Sequence, residues 1–273
     1  VEDTGNLTQF RHEPVEWMEN IILNYYAAVY SNLQKHDLNY PTPGDLWALT
    51  AVGNIKFEGD YRFDTEGSDL IKEALLDDDE RNLYLQLWGG ANTVARALLS
   101  IEEEYKDKEN WKEIYKKVSQ KTVIVAIGAQ DNAYEDYISV NWPEVRYYDL
   151  GKIFGIYTGF GKMGVAEKYR YLYENNWWKE NIKFGHGKLL DNYGLVGDGQ
   201  RYEGEGDCSG WQPGLAKNPE EFKYFNMKDG YQRYDWTSEG DSPAFMFLLD
   251  VGLRGLENPG LGSWGGRLQT DED

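Results

Sequence analysis

The sequence predicts an α/β fold, a mostly parallel sheet with crossover helices. Three observations carry the prediction. Two short apolar runs, "LYLQLW" and "KTVIVAIG", have the length and composition of buried strands. Long segments with three-to-four-residue apolar spacing separate such runs, which is the pattern of a βαβ unit. Finally, "LYLQLWGGANTVARALLSIEEEY", residues 83–105, breaks a strand at Gly89-Gly90 and restarts at once as an amphipathic helix.

In chain order, residues 14–34 form the first expected helix, with Pro14 in its first turn and Trp17, Ile21, Tyr25, Ala28 and Val29 as its apolar stripe. "YPTPGDLWAL" turns the chain into a short helix from about Asp45. "TEGSDLIKEALL" gives another, capped by Thr65 or Ser68. Strand 83–88 and a helix over 91–106 follow, the latter burying Val94, Leu98, Ile101 and Tyr105. "NWKEIYKKVSQ" is helical, 122–127 is the clearest buried strand, "VRYYDL" is a short strand, and "GKIFGIYTGF" is a further strand candidate. From Ser242 and Pro243, as cap and first helical residue, a last helix is expected over 243–256. Its buried stripe would be Phe245, Leu248, Leu249, Gly252, Leu253 and Leu256. Residues 1–273 are read as one domain with a long irregular excursion over 187–238, rich in Gly, Asp, Asn and Tyr. A doubly wound domain normally opens with a strand and this chain opens with a helix, so the sheet is expected to be incomplete at its N-terminal side.

Composition narrows the function. Of 273 residues, 28 are basic and 47 acidic, giving a formal charge of −19 that repels phosphate backbones and excludes a nucleic-acid partner. The same charge is either a solvated coat or a source of carboxylates for a cation. No apolar run reaches membrane-spanning length, and none of these residues reads as a signal peptide. An acidic coat is common in secreted or salt-tolerant proteins, and a secreted or extracytoplasmic location is expected; Asn6-Leu7-Thr8 is a glycosylation sequon. The lone Cys208 excludes an internal disulfide framework and a cysteine-rich metal site. His12, His36 and His186 have no partners at metal-ligand spacing and sit in no nucleophile motif, so each is read as structural. The 10 Trp and 21 Tyr either pack the core or provide sugar-stacking surfaces.

Candidate site residues fall where strands end. The Gly89-Gly90 turn has neither a dinucleotide fingerprint nor a phosphate-binding lysine. It offers Trp88, Asn92 and Thr93, the last two of which either cap the helix or face a ligand. After strand 122–127 come Gln130, Asp131 and Asn132, three hydrogen-bonding side chains that suit a polyhydroxylated ligand or a plain Asx turn. Glu239-Gly240-Asp241-Ser242 places Asp241 before a helix N-terminus, as a cap or as a cation ligand. Glu66, beside Thr65 and Ser68, and Glu239 complete the candidate substrate-binding set.

Taken in order, "VGNIKFEGDYRFDTEGSDLI", "LYLQLWGGANTVARAL", "GAQDN" followed by "NWPEV", "ENIKFGHGKL", "EGDSPAFMFLLDVGL" and "SWGGR" resemble the nucleoside hydrolase-like domain of a family of cellulose-binding proteins, over roughly residues 15–267. The resemblance implies a Rossmann-like, nucleoside hydrolase-like sheet. It also implies the chemistry of that superfamily, cleavage of N-glycosidic bonds in which a bound calcium acidifies a water, an Asp acts as base and the sugar passes through an oxocarbenium-like state. On the same resemblance Asp241 is the late metal-binding Asp, and Asn92 falls in the turn that contributes a metal ligand. Gln130, Asp131 and Asn132 fall where sugar contacts are expected. The superfamily's Asp-x-Asp-x-x-x-Asp-Asp stretch is absent, as is the β-sandwich that often follows the domain; the chain ends in "TDED". The expected function is hydrolysis of the glycosidic bond of a nucleoside or glycoside. The alternative is non-catalytic binding of a sugar-containing small molecule or polysaccharide such as cellulose. Calcium wants about six to eight oxygen ligands, so Asp241 with a carbonyl from the Asn92 turn is expected to hold it only weakly.

Overall fold

The computed structural model describes residues 15–57, 59–151, 165–195, 232–236, 242–246 and 248–268. They gather into two compact units. The described parts of Val52–Tyr157 and Glu239–Asp273 form one, and those of Thr8–Ala51 and Thr158–Ser238 the other.

The first unit holds the sheet. Strands β1 (Leu83–Leu87), β2 (Thr122–Ala126) and β3 (Arg146–Asp149) lie in the order β1-β2-β3, both pairs parallel. Register aligns Leu87 with Ala126 and Ala126 with Asp149, so the C-terminal ends of all three strands finish level on one edge. All five residues of β2 are buried because it is covered on both faces, which explains a continuous apolar run where a half-buried strand would alternate. Ile124 and Ala126 pack with Leu75, Val94, Leu98, Ile101, Val118, Ile138 and Trp142 on one face. Val123, Val125 and Ile127 pack with Leu150 and Ala244 on the other. The first face is closed by helices Glu66–Leu76, Asn92–Tyr105 and Trp111–Lys121, and by the helical stretch made of Tyr134–Ile138 and Ser139–Asn141.

Local signals explain where these helices start. Thr65 accepts from Ser68 N while the Ser68 hydroxyl accepts from Thr65 N, a reciprocal cap that satisfies two otherwise unpaired donors. Gly67 follows because nothing larger fits: a Cβ there would lie 2.9 Å from Gly53 Cα and 3.0 Å from the Val52 carbonyl.

The second unit is helical. Glu16–Glu19, Asn20–Tyr26 and Ala27–Leu33 run on as one helix whose middle segment is π. The expected stripe is therefore corrected: Ile22 is buried, whereas Ile21 is 36% exposed, because the wider π turn breaks the 3.6-residue phase. The next helix, Pro43–Ala48, begins two residues before Asp45, with Thr42 as its cap and Pro43 in its first turn. In this unit the aromatic excess is packing. Trp178 stacks on Trp236 with ring planes 2° apart and on Tyr193 at 5.1 Å, and Trp236 Nε1 donates to the Tyr193 hydroxyl at 2.7 Å.

One expected helix is cut short. The helix from Ser242 ends at Met246, and residues 248–257 turn repeatedly. Asp250 Oδ1 accepts from Gly252 N at 2.8 Å, and Gly252 and Arg254 take positive φ of 77° and 62°. The local Asx turn thus replaces helix, and Phe245, Leu249, Leu253 and Leu256 are 38–47% exposed rather than a buried stripe. The strand candidate over 151–160, apart from Gly151, and most of the 187–238 excursion lie outside the described residues.

Candidate functional site at the C-terminal edge of the sheet

Ligands of open α/β sheets collect beyond the carboxyl ends of the strands. Here that edge is built by three turns, one after each strand. The turn after β1 runs through Trp88 to Asn92. The turn after β2 carries Gln130, Asp131 and Asn132. The turn after β3 begins at Asp149.

Two of the candidates hold these turns together. Asn92 opens helix Asn92–Tyr105 and is only 2% exposed. Its Nδ2 donates to the Asn54 carbonyl at 2.6 Å and to the Asp60 carbonyl at 3.3 Å, and its Oδ1 accepts from Thr93 N at 3.0 Å. The carboxamide is therefore aimed into the 54–60 loop. Asp131, 6% exposed, accepts from Asn92 N at 3.1 Å through Oδ2 and from Ala133 N at 2.9 Å through Oδ1. It caps the neighbouring helix across the edge, placing a carboxylate at the positive end of that helix where Ala91 offers no side-chain cap. Thr93 adds a third tie, its Oγ1 accepting from Asn54 N at 2.9 Å.

Other candidates face solvent. Trp88 is 44% exposed immediately beyond β1. Asn132 is exposed, and Gln130 is half-buried with Nε2 donating to the Ile127 carbonyl at 3.2 Å. Glu66, exposed in the first turn of its helix, follows Thr65, whose hydroxyl donates to Asn54 Oδ1 at 3.2 Å. Glu239 and Asp241 lie outside the described residues. Among the described residues the structure thus brings together the turn after β1, the turn after β2 and the loop leading to Glu66.

Four residues that the sequence did not single out lie on the segments that meet Asn92 and Asp131 or on the end of β3. Asn54, 8% exposed, receives the Asn92 amide on its carbonyl and donates its own Nδ2 to the Phe63 carbonyl at 2.8 Å. Phe57 and Phe63, in the loop so tied, are 61% and 67% exposed. Asp149 ends β3, and its Oδ1 accepts from Gly128 N at 3.1 Å and Gly151 N at 2.7 Å while the residue stays exposed. The available signal was two phenylalanines in an otherwise polar, Gly- and Asp-rich stretch, and an Asp closing a strand-like run.

One carboxylate of the 54–63 loop is paired with a cation of the same loop. Arg62 donates from Nε and Nη2 to the two oxygens of Asp60, each at 2.8 Å, and this pairing holds the Asp60 carboxyl down at about 2. A calcium ion would need a convergent set of oxygens. Among the described residues no group of three or more His, Cys, Asp or Glu is so arranged, and the Asn92 side chain is committed to the loop. Asp241, the other expected metal ligand, lies outside the described residues.

A solved structure from Saccharophagus degradans, a nucleoside hydrolase-related hypothetical protein associated with carbohydrate metabolism, superposes with a TM-score of 0.60 at 21% identity. The match covers 95% of this chain and 49% of that one, so this chain spans about half the length of the solved protein. At that identity the likeness establishes a shared nucleoside hydrolase-like fold. No curated protein matches. The model of a family described as "Cellulose-binding Sde182, nucleoside hydrolase-like domain" matches residues 4–268, nearly the full chain, and the chain belongs to that family.

Proposed function

We propose that this chain binds a neutral, sugar-containing ligand at the C-terminal edge of its sheet, with Trp88 as the stacking surface. The observation that carries the reading is the 44% exposed indole placed directly beyond β1, four residues ahead of the buried Asn92 that fixes the edge. An aromatic face next to hydrogen-bonding groups suits the apolar face and hydroxyl rim of a sugar ring. Gln130 and Asn132 supply such groups from the adjacent turn, and Glu66 and Glu239 are the acidic candidates for sugar hydroxyls. The −19 charge favours a neutral ligand over an anionic one. The family's cellulose-binding description and the carbohydrate association of the S. degradans protein support a saccharide. Calorimetric titration with soluble β-linked glucose oligomers tests it: binding that Trp88→Ala removes is expected, and no saccharide binding at all overturns it.

The second reading is hydrolysis of a glycosidic bond, favoured by the nucleoside hydrolase-like fold. Asp149 is the described carboxylate best placed to take part, being exposed at the end of β3 and oriented by two backbone N–H groups. Release of ribose from nucleosides or of reducing ends from glycosides, with and without added calcium, would establish this reading. Turnover unaffected by Asp149→Asn would remove Asp149 from it.

A further inference from the structure

We propose that the outer edge of β1 pairs with the same strand of a second copy of this chain, antiparallel and across a two-fold axis. The inference goes beyond the ligand-binding reading and does not depend on it.

The ladder between β1 and β2 fixes which main-chain groups are left over. Ile127 N donates to the Leu87 carbonyl at 3.1 Å, and Leu87 is aligned with Ala126. Along a strand the main-chain groups of successive residues point to opposite sides. Leu83, Leu85 and Leu87 therefore direct their N–H and C=O groups to β2, and Tyr84 and Gln86 direct theirs away from it. β1 is an end strand in the order β1-β2-β3, and among the described residues nothing bonds to the outward main chain of Tyr84 or Gln86. Every residue of β2 is buried, whereas in β1 only Leu87 is, so this edge is open. Within "LYLQL" there is no Pro, no Lys and no charge, the devices that keep an exposed edge from pairing.

The occupant follows from register and charge. Two copies related by a two-fold axis can pair this edge only antiparallel. A parallel ladder needs outward residues opposite inward ones, and the symmetry would set each residue opposite itself. In an antiparallel pair centred on Leu85, Tyr84 faces the partner's Gln86 and Gln86 faces the partner's Tyr84. Facing residues of this kind exchange both N–H and C=O bonds, so every outward group of both strands is satisfied. Charge selects the same arrangement. The acidic run Asp77-Asp78-Asp79-Glu80 leads into β1, and parallel neighbours would lay two such runs side by side. Continued past the strand ends, the antiparallel register instead brings Asp78, Asp79 and Glu80 alongside the partner's Asn92, Ala91 and Gly90, at the positive end of helix Asn92–Tyr105. The −19 charge opposes association over most of the surface. This edge, uncharged within the strand and complementary at its ends, is where two copies can meet. The partner's Asn82 then lies opposite Trp88, so each copy borders the other's candidate site.

Sedimentation equilibrium of residues 1–273 over a range of protein concentrations tests the pairing. A reversible dimer is expected, with a dissociation constant of about 10–100 μM for so short a contact. Hydrogen exchange at the Tyr84 and Gln86 amides should slow as protein concentration rises. Gln86→Pro removes an outward N–H and no bond to β2, so it should weaken the dimer about a hundredfold. Glu80→Lys should weaken it about tenfold and keep the wild-type unfolding midpoint, because Glu80 is exposed. Repulsion between two acidic chains predicts the reverse for Glu80→Lys, tighter association of the less negative variant, and that result overturns the register. If Gln86→Pro lowers the unfolding midpoint, Glu80→Lys alone decides. A monomer at every concentration overturns the proposal. So do Tyr84 and Gln86 amides equally protected at all concentrations, which would assign this edge to another segment of the same chain.

Discussion

Replacing Asn92 separates a bracing role from a metal-binding one. Asn92→Ala deletes the amide that donates to the Asn54 and Asp60 carbonyls, at 2.6 and 3.3 Å, and leaves the Asn54 carbonyl without that donor in a buried residue. An unsatisfied buried polar group costs about 1–3 kcal/mol, and the second, longer bond and the small void add to it, giving about 2–4 kcal/mol in all. The unfolding midpoint should fall by roughly 5–15 °C. Asn92→Asp is nearly isosteric but turns a donor into a charged acceptor facing two carbonyl oxygens. Its cost should equal or exceed that of alanine, about 3–5 kcal/mol, because the oxygen that replaces Nδ2 brings a buried charge against two carbonyl oxygens. A cation ligand predicts the reverse, since aspartate would strengthen the site. Thermal unfolding followed by tryptophan fluorescence, with and without calcium, reads the midpoint, and hydrogen exchange over 54–63 reads the loop. An Asn92→Asp protein as stable as wild type, or one selectively stabilised by calcium, would refute the bracing argument.

Two further outcomes follow from the same loop. Gly67→Ala should destabilise by about 1–3 kcal/mol and loosen the 52–65 segment, because its Cβ would press on Gly53 and Val52 backbone rather than on a movable side chain; an unchanged denaturation midpoint would contradict that packing. Asp60 is held at about 2 against an ordinary value of 3.8, chiefly by hydrogen bonding to Arg62. A depressed carboxyl stabilises the folded state fully above its ordinary value and loses that contribution as pH falls toward 2. In Arg62→Ala the Asp60 carboxyl carbon, followed by NMR, should titrate near its ordinary value, and an unmoved midpoint would show that Arg62 is not the cause.

The sheet was legible in the sequence because its signals are local. β2 reads as a continuous apolar run since both its faces are covered, and the Thr65 cap and the Gly89-Gly90 break depend on a few adjacent residues. The last helix was misread for a physical reason. Its leucines keep helical spacing, yet Asp250 bonds to Gly252 N and positive φ at Gly252 and Arg254 turns the chain, a competition that periodicity does not register. The first helix kept its extent but not its face, because a π segment shifts phase without changing composition. At the candidate site, Trp88, Asn92 and Asp131 could be placed by their position at strand ends. The inward turn of Asn54 could not, because its partner Asn92 lies 38 residues away and nothing in "VGNIKFEGD" marks which polar residue is buried.

That partner also explains how the edge divides its labour. A polar group removed from water must find partners within the protein. Asn54, Asn92 and Asp131 do so, and each spans two segments rather than closing its own turn alone. Their capacity is committed to joining the 54–63 loop, the β1 turn and the β2 turn. On the proposed saccharide reading, recognition would fall to side chains beyond the strand ends that keep solvent exposure, Trp88, Asn132 and Asp149. Substituting an exposed member should change what binds and leave stability intact. Substituting a buried one should loosen all three segments together, so that binding and stability fall in parallel. A scaffold built this way can change its ligand through loop residues without touching the sheet.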